Sequence, residues 1–123
     1  MQGYRDLMVW QKSMDLVLAI YRITGGFPKN ELYGLVSQMQ RAAVSIPSNI
    51  AEGHGLKQTQ AYLRHLAIAG GSLAELETQL EIATRLGYLA ERDKELNQQA
   101  NEVGRMLAGL RRSLKSRQNE SEG

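Results

Sequence analysis

The 123-residue chain contains no cysteine. That absence excludes disulfides, thiolate metal sites and cysteine nucleophiles. It fits a reducing compartment, and a cytoplasmic location is the expectation. Only two prolines occur, Pro28 and Pro47. Helices therefore meet their strongest breaker at few positions. No long apolar run appears anywhere, so the sequence predicts neither a signal peptide nor a membrane span. Histidine is scarce too, with His54 and His65 alone. A di-iron bundle site needs Glu-x-x-His pairs on facing helices, and that spacing is missing. So are the phosphate-cradling glycine loop and the Gly-x-Ser-x-Gly elbow. His65 shares a helix face with Ser72, but two turns separate them by roughly 10 Å, beyond hydrogen-bond reach. The expectation is a protein with no metal, no cofactor and no catalytic residues, and hence no enzyme.

What remains is rich in Ala, Leu, Glu, Gln and Arg, which favours helix. The length suits one domain over residues 1–123 with a sizeable core. The central stretch is Glu31 to Gly53. In it Leu35, Met39, Ala42, Ile46, Ile50 and Gly53 step by three and four, the mark of an apolar helix face. Beside them runs a wholly polar stripe: Gln38, Arg41, Ser45, Asn49 and Glu52. Pro47 lies inside the pattern and predicts a kink between Ala43 and Pro47. Asn30 is the expected cap.

A first helix is predicted from Leu7 to Thr24, capped by Asp6, with an apolar stripe of Leu7, Trp10, Met14, Val17 and Tyr21 at steps of three and four. Gly25 and Gly26 end it, and Phe27 is expected to pack on the next helix's first turn. Gly53-His54-Gly55 reads as a loop. A third helix follows from a Thr59 cap to Leu86, with Leu63, Leu66, Ala69 or Gly70, Leu73, Leu76, Leu80 and Ala83 as its stripe. Gly70 and Gly71 fall mid-helix at a cost of about 1 kcal/mol each. Close approach of a neighbouring helix would explain them. A fourth helix is predicted from Ala90 to Leu114 on the seam Leu96, Ala100, Val103, Leu107, Leu110 and Leu114. Residues 115–123 are expected to fray. Four helices with short connections predict an all-α, antiparallel up-down-up-down four-helix bundle. Leu35, Met39, Ile46, Leu66, Leu73, Leu76, Val103 and Leu107 are the expected core.

Two polar features stand out. The stripe of Gln38, Arg41, Ser45, Asn49 and Glu52, with Ser72 and Glu75 one turn apart on one face of the third helix, is expected to form one structural polar network. Arg41 is then expected to pair with Glu75, or with Glu52 of a neighbouring protomer. Asn49 and Ser45 are expected to serve backbone groups freed by Pro47. Such a network fixes helix register, a structural role. The second feature is charge. The net charge is only +2, but no acidic residue occurs between Val103 and Asn119. Arg105, Arg111, Arg112, Lys115 and Arg117 all lie there. Glu75, Glu77, Glu81, Glu91, Asp93 and Glu95 gather at the opposite end. Cations near a helix C-terminus are favoured by the dipole in any case. Several copies of the basic cluster together would make a nucleic-acid surface, with Arg105, Arg111, Arg112 and Lys115 as the binding residues.

The run FPKNELYGLVSQMQRAAVSIPSNIAEG, with YLRHLAIAGGSLAELETQLEIATRLGYL after it, resembles a bacterial four-helix-bundle family. Its members include proteins encoded in intervening sequences of large-subunit ribosomal RNA genes. The accessory variability determinant of diversity-generating retroelements is a relative. Gln38, Arg41, Ala42, Ser45, Ile46, Asn49, Ile50, Ala51, Glu52 and Gly53 carry the resemblance, with Gly71, Ser72, Glu75 and Glu77 in the second block. The resemblance implies a homopentameric barrel of four-helix protomers, without catalysis. In the retroelement relatives it also implies a reverse transcriptase and its RNA as partners. Leftover apolar residues, Trp10, Val44, Tyr62 and Ile68, are the candidates for ring contacts. Two functions follow as expectations: an oligomeric accessory protein that binds RNA or DNA, and an oligomeric protein-interaction scaffold.

Overall fold

The computed structural model describes residues 3–89 and 93–122. A helical turn at Tyr4–Asp6 leads into α1, Met8–Thr24. Then come α2, Leu35–Gly55, α3, Thr59–Arg85, and α4, Lys94–Glu122. Each helix packs on its sequence neighbours, and α4 closes the bundle against α1. Among the described residues the diagonal pairs, α1 with α3 and α2 with α4, do not approach. This is the up-down-up-down arrangement that short connections favour. No described helix is long and apolar enough to cross a membrane.

The core holds seven of the eight expected residues at 5 % exposure or less, and Leu35 lies half-buried against them. The α3 and α4 seams face inward as the periodicity predicts, from Leu66 to Ala83 and from Leu96 to Leu114.

The first helix differs. It buries Val9, Leu16, Ala19 and Ile20, with Ser13 and Thr24 on the same face. The expected stripe, Leu7, Trp10, Met14, Val17 and Tyr21, is half-buried or exposed. Two hydroxyls hid the true inward face. Ser13 Oγ donates to the Trp10 carbonyl at 2.8 Å, and Thr24 Oγ1 to the Ile20 carbonyl at 2.8 Å. A hydroxyl satisfied by its own helix can enter a core without an unpaired donor.

Several helix ends also differ from expectation. Asp6 lies in the preceding turn, and Leu7 takes the cap position without a side-chain bond. Lys29–Glu31 forms a separate helical turn, so Asn30 does not cap α2. Glu31 does so instead, its Oε1 accepting the Leu35 N–H at 3.2 Å. Its other oxygen accepts the Tyr88 hydroxyl at 2.8 Å. That bond, with burial and the carboxylate charge, raises the Tyr88 pKa above its ordinary value. Phe27 shares the buried cluster with Val36 in the first turn of α2, as expected, and also packs against Tyr88, ring centres 5.5 Å apart. Pro47 does not end α2, which stays helical past Gly53 and His54 to Gly55. Gln58, not Thr59, is the α3 cap residue.

Gly87 ends α3 at φ +80. Tyr88 N–H reaches the Ala83 carbonyl and Gly87 N–H the Thr84 carbonyl, at 2.9 and 3.0 Å. This paired closure needs a left-handed residue after the last turn, the conformation glycine takes without strain. The expected start of the fourth helix at Ala90 lies outside the described residues. Asp93 accepts the Leu96 N–H at 3.1 Å near the described beginning of α4. The helix continues beyond the expected end at Leu114, to Glu122.

Gly70 and Gly71 do not mark a close approach: a Cβ at either would meet nothing within 4 Å. Gly71 is exposed within α3. Gly71→Ala is therefore expected to stabilise the protein by about 0.5–1 kcal/mol, since alanine restricts the unfolded chain and fits the helix. Urea denaturation of the two proteins measures this, and a loss of stability would mean that the space around Gly71 is occupied.

Candidate nucleic-acid interface

The basic residues occupy the C-terminal half of α4. Arg105, Arg112 and Lys115 are exposed, and Arg111 is half-buried. Arg105 and Arg112 are seven residues apart, so they share one face of the helix, opposite Val103 and Leu107. Among the described residues none of the four forms an ion pair. The buried Arg111 Nε has no acceptor there. Its guanidinium head thus sits at the edge of the core, an expensive place for a donor without a partner. The first acidic residue before the cluster, Glu102, is held by Lys12 at 3.3 Å on α1.

Topology adds residues that the sequence pattern does not connect. Antiparallel packing places the C-terminal half of α4 at the same end of the bundle as the α2–α3 connection and the start of α1. Lys57, at φ 54 in that connection, lies there, and so do Arg5 and Arg64. All three are exposed. The acidic residues Glu75, Glu77, Glu81, Asp93 and Glu95 lie toward the opposite end, with Glu81 paired to Arg85 at 2.9 Å. Glu91 falls outside the described residues. Asp6, Glu52 and Glu120 lie at the same end as these cations, and Arg22, Lys29, Arg85 and Lys94 at the other. The charge separation along the axis is partial, and it favours an anionic ligand at the end richer in cations.

The polar stripe is only partly the network that the sequence suggests. Asn49 Nδ2 donates to the Ser45 carbonyl at 2.8 Å and to Ser45 Oγ at 3.0 Å. Ser72 Oγ donates to Ser45 Oγ at 2.8 Å. His65 Nδ1 lies 2.9 Å from Asn49 Oδ1, and its Nε2 lies 3.6 Å from Glu52. A hydrogen-bonded chain thus runs from His65 through Asn49 and Ser45 to Ser72, across the α2–α3 seam, with Glu52 beside His65 but beyond hydrogen-bond distance. Periodicity within α2 could not show His65, which lies on another helix. Its spacing from Ser72, seven residues along α3, was the available signal.

Arg41 is not part of this chain. It is exposed, and among the described residues no carboxylate pairs with it. The expected bond to Glu75 within one protomer does not form; Glu75 instead accepts the Gln79 amide at 3.2 Å. Gln38 is exposed as well. The reason is steric: the α2–α3 seam closes around the short side chains of Ser45 and Ser72, and a long guanidinium gains more by staying hydrated. The imidazole of His65 meets an amide and a carboxylate, not a hydroxyl, so the chain is not a nucleophile–base pair.

Residues 5–109 match the family model described as 23S rRNA-intervening sequence protein. The chain belongs to that family. Among solved structures, it is similar to a protein of unknown function from the S23 ribosomal protein family of Bacteroides thetaiotaomicron VPI-5482. The two are 22% identical, with a TM-score of 0.77 over 85% of this chain and 95% of that one. At that identity the likeness speaks for the fold. No curated protein matches the chain. For this intervening-sequence family member, the matched region covers α1, α2, α3 and the first half of α4. It stops before Arg111, Arg112 and Lys115, so three of the four cationic residues lie outside the matched span.

Proposed function

We propose that this intervening-sequence family member is a non-enzymatic, oligomeric accessory protein that binds nucleic acid, RNA or DNA, through the basic end of the bundle. The observation that carries the reading is the exposed, unpaired group Arg105, Arg112 and Lys115 on a helix with no acidic residue from Val103 to Asn119. Phosphate contacts supply most of the affinity of such a surface, and affinity grows with the number of phosphates neutralised. One copy offers few contacts. A homopentamer, which the family resemblance implies, repeats the patch around one axis and raises effective concentration. Such a protein acts in the cytoplasm, where its nucleic acid is.

A second reading, a protein-interaction scaffold with no nucleic acid, draws on a different observation. Trp10, Met14, Val17 and Val44 line an open apolar hollow on the outer face of α1 and α2.

The test compares wild type with the fourfold variant Arg105→Ala, Arg111→Ala, Arg112→Ala and Lys115→Ala. Fluorescence anisotropy with a labelled single-stranded RNA of mixed sequence is read at two salt concentrations. Wild type is expected to bind more weakly as salt rises. The variant is expected to bind about tenfold more weakly at the lower salt, with a shallower salt dependence, roughly 0.7 less in slope for each phosphate no longer neutralised. Equal binding by both proteins, or none by either, leaves the scaffold reading.

A further inference from the structure

The cation-rich end of the bundle carries aromatic rings as well as charge. Where the turn Tyr4–Asp6 meets α1, Tyr4 and Trp10 lie edge to face with ring centres 5.3 Å apart. That turn is held in place. Leu7 N–H reaches the Tyr4 carbonyl at 3.0 Å, and Gln11 Nε2 donates to the Arg5 carbonyl at 2.9 Å. The Arg5 guanidinium lies 5.4 Å from the centre of the Tyr4 ring, within cation–π range. Both rings are half-buried. Trp10 packs partly on the core, and it also joins Tyr4, Val44, Pro47, Ser48 and Ala51 around an open hollow of about 340 Å³. No charged residue lines the hollow. Its walls suit a planar ring, and the Tyr4 and Ser48 hydroxyls offer hydrogen bonds to the edge of one.

The hollow and the α4 cations stand at the same height along the bundle. The Lys12–Glu102 pair sets the antiparallel register of α1 against α4. Counting two residues from each, Trp10 is level with Gly104, beside Arg105, and the chain ahead of it runs toward the level of Arg112. Packed helices lie about 8–10 Å apart, so the hollow, on the α2 side of α1, is within about 20 Å of the α4 axis. Arg5, beside the Tyr4 wall, is exposed and forms no ion pair among the described residues. Cations that follow a phosphate backbone, next to aromatic rings on which a base can stack, are the two parts of a single-strand site. The bases of a duplex are already paired and stacked, so a duplex offers such a surface its backbone alone.

We propose that the Tyr4–Trp10 hollow receives one unstacked base of a single-stranded nucleic acid, with Arg5 on an adjoining phosphate. The inference rests on the nucleic-acid reading above and names its ligand class, single strands of RNA or DNA. The two parts of the surface then do different things. Arg105, Arg112 and Lys115 attract any polyanion, and the attraction weakens as salt rises. The hollow engages only a ligand with a free base. Every base has a flat face, so the site tolerates many sequences.

Trp10 is the only tryptophan in the chain, so its emission reports on the hollow directly. Three probes are titrated at low salt: a short single-stranded RNA of mixed sequence, the same RNA annealed to its complement, and heparin, a polyanion without bases. Anisotropy of the labelled RNAs, with heparin as competitor, measures binding, and Trp10 emission is read on unlabelled samples. All three probes are expected to bind, and the single strand alone to quench Trp10. Ser48→Leu fills the hollow from an exposed position, so the fold is expected to survive, and far-UV circular dichroism checks that it does. This variant is expected to bind the single strand about fivefold or more weakly, to lose the quenching, and to bind the duplex as wild type does. Equal quenching by duplex or heparin, no quenching by a bound single strand, or unchanged single-strand binding by Ser48→Leu overturns the inference and leaves phosphate binding on α4 standing. Bound RNA with unchanged Trp10 emission is also the result expected if the hollow serves a protein side chain instead. Failure of all three probes to bind overturns this inference and the nucleic-acid reading together.

Discussion

Leu76→Ala is expected to lower the unfolding free energy by about 2–5 kcal/mol, the range for a buried leucine cut to alanine. Leu76 is fully buried in the middle of α3. The cost has two parts. The removed carbons lose their transfer free energy, and the cavity left behind deprives its lining of dispersion attraction on every side. The surrounding core, with Met39, Ile46, Leu66 and Val103 also fully buried, is made of side chains already held by their neighbours. It can collapse into the void only by moving whole helices. A domain of ordinary stability, about 5–15 kcal/mol, would lose a large fraction of it. Guanidinium denaturation with an unchanged slope measures the loss. A change below about 0.5 kcal/mol would put Leu76 at the surface and overturn the assignment of the α3 face.

Gly53→Ala is expected to destabilise the protein by about 1–3 kcal/mol, although the same exchange at Gly71 is expected to stabilise it. Gly53 is buried in α2 where α3 crosses. A Cβ there would lie 2.8 Å from His65 Cβ and 3.0 Å from Tyr62 Cδ1. Neither neighbour yields readily. A Cβ is fixed to its backbone, and the Tyr62 ring is held edge-on against His54 at 5.7 Å. Relief requires α2 and α3 to separate, which also stretches the His65–Asn49 contact of 2.9 Å. Helix propensity favours alanine by about 1 kcal/mol and offsets only part of this. Thermal denaturation of both alanine variants side by side checks the opposite signs. Equal gains at Gly53 and Gly71 would mean that the crossing is looser than the distances indicate.

The contrast between these glycines shows where sequence reasoning stops. Helix existence and the core seams of α3 and α4 were legible, because an apolar residue every three or four positions has one physical meaning on a long helix. Sequence alone makes the pair Gly70-Gly71 the site of close approach and Gly53 the start of a loop. Nothing in a single helix distinguishes a glycine that faces space from one that faces another backbone. The distinction belongs to the partner helix, here to Tyr62 and His65. The same limit applies to α1. Periodicity identifies an apolar stripe but cannot say that a second stripe, diluted by Ser13 and Thr24, is the one turned inward.

The candidate site was legible in a similar measure. An acid-free stretch is a property of the chain, and α4 presents Arg105, Arg112 and Lys115 at the surface as expected. The half-burial of Arg111 was not visible, since it depends on where the edge of the bundle falls. Nor could the stripe in α2 announce its partners. Ser45 and Asn49 do cross to α3, but they meet Ser72 and His65, and Arg41 stays outside. Side-chain length decided between the members of the stripe, a quantity that a polar-versus-apolar pattern does not contain.

The short link between α2 and α3 also bears on the order in which the bundle assembles. Only residues 56–58 separate the two helices. The bonds that join them span 16 residues for His65–Asn49 and 27 for Ser72–Ser45. The Tyr88–Glu31 bond at the other end of the bundle spans 57. Closing a longer loop costs more chain entropy before any contact rewards it. Gln40 Nε2 donates to Thr24 Oγ1 over the same 16 residues between α1 and α2, so both neighbouring pairs can close early, and the α2–α3 hairpin has the shorter connection. Closure of the far end by Glu31 and Tyr88 comes late. In native-state hydrogen exchange, amides of the α2–α3 crossing are expected to open only with global unfolding, and those around Glu31 to open first. In the growing polypeptide, the hairpin is complete once Arg85 has emerged, before any of the basic half of α4 exists.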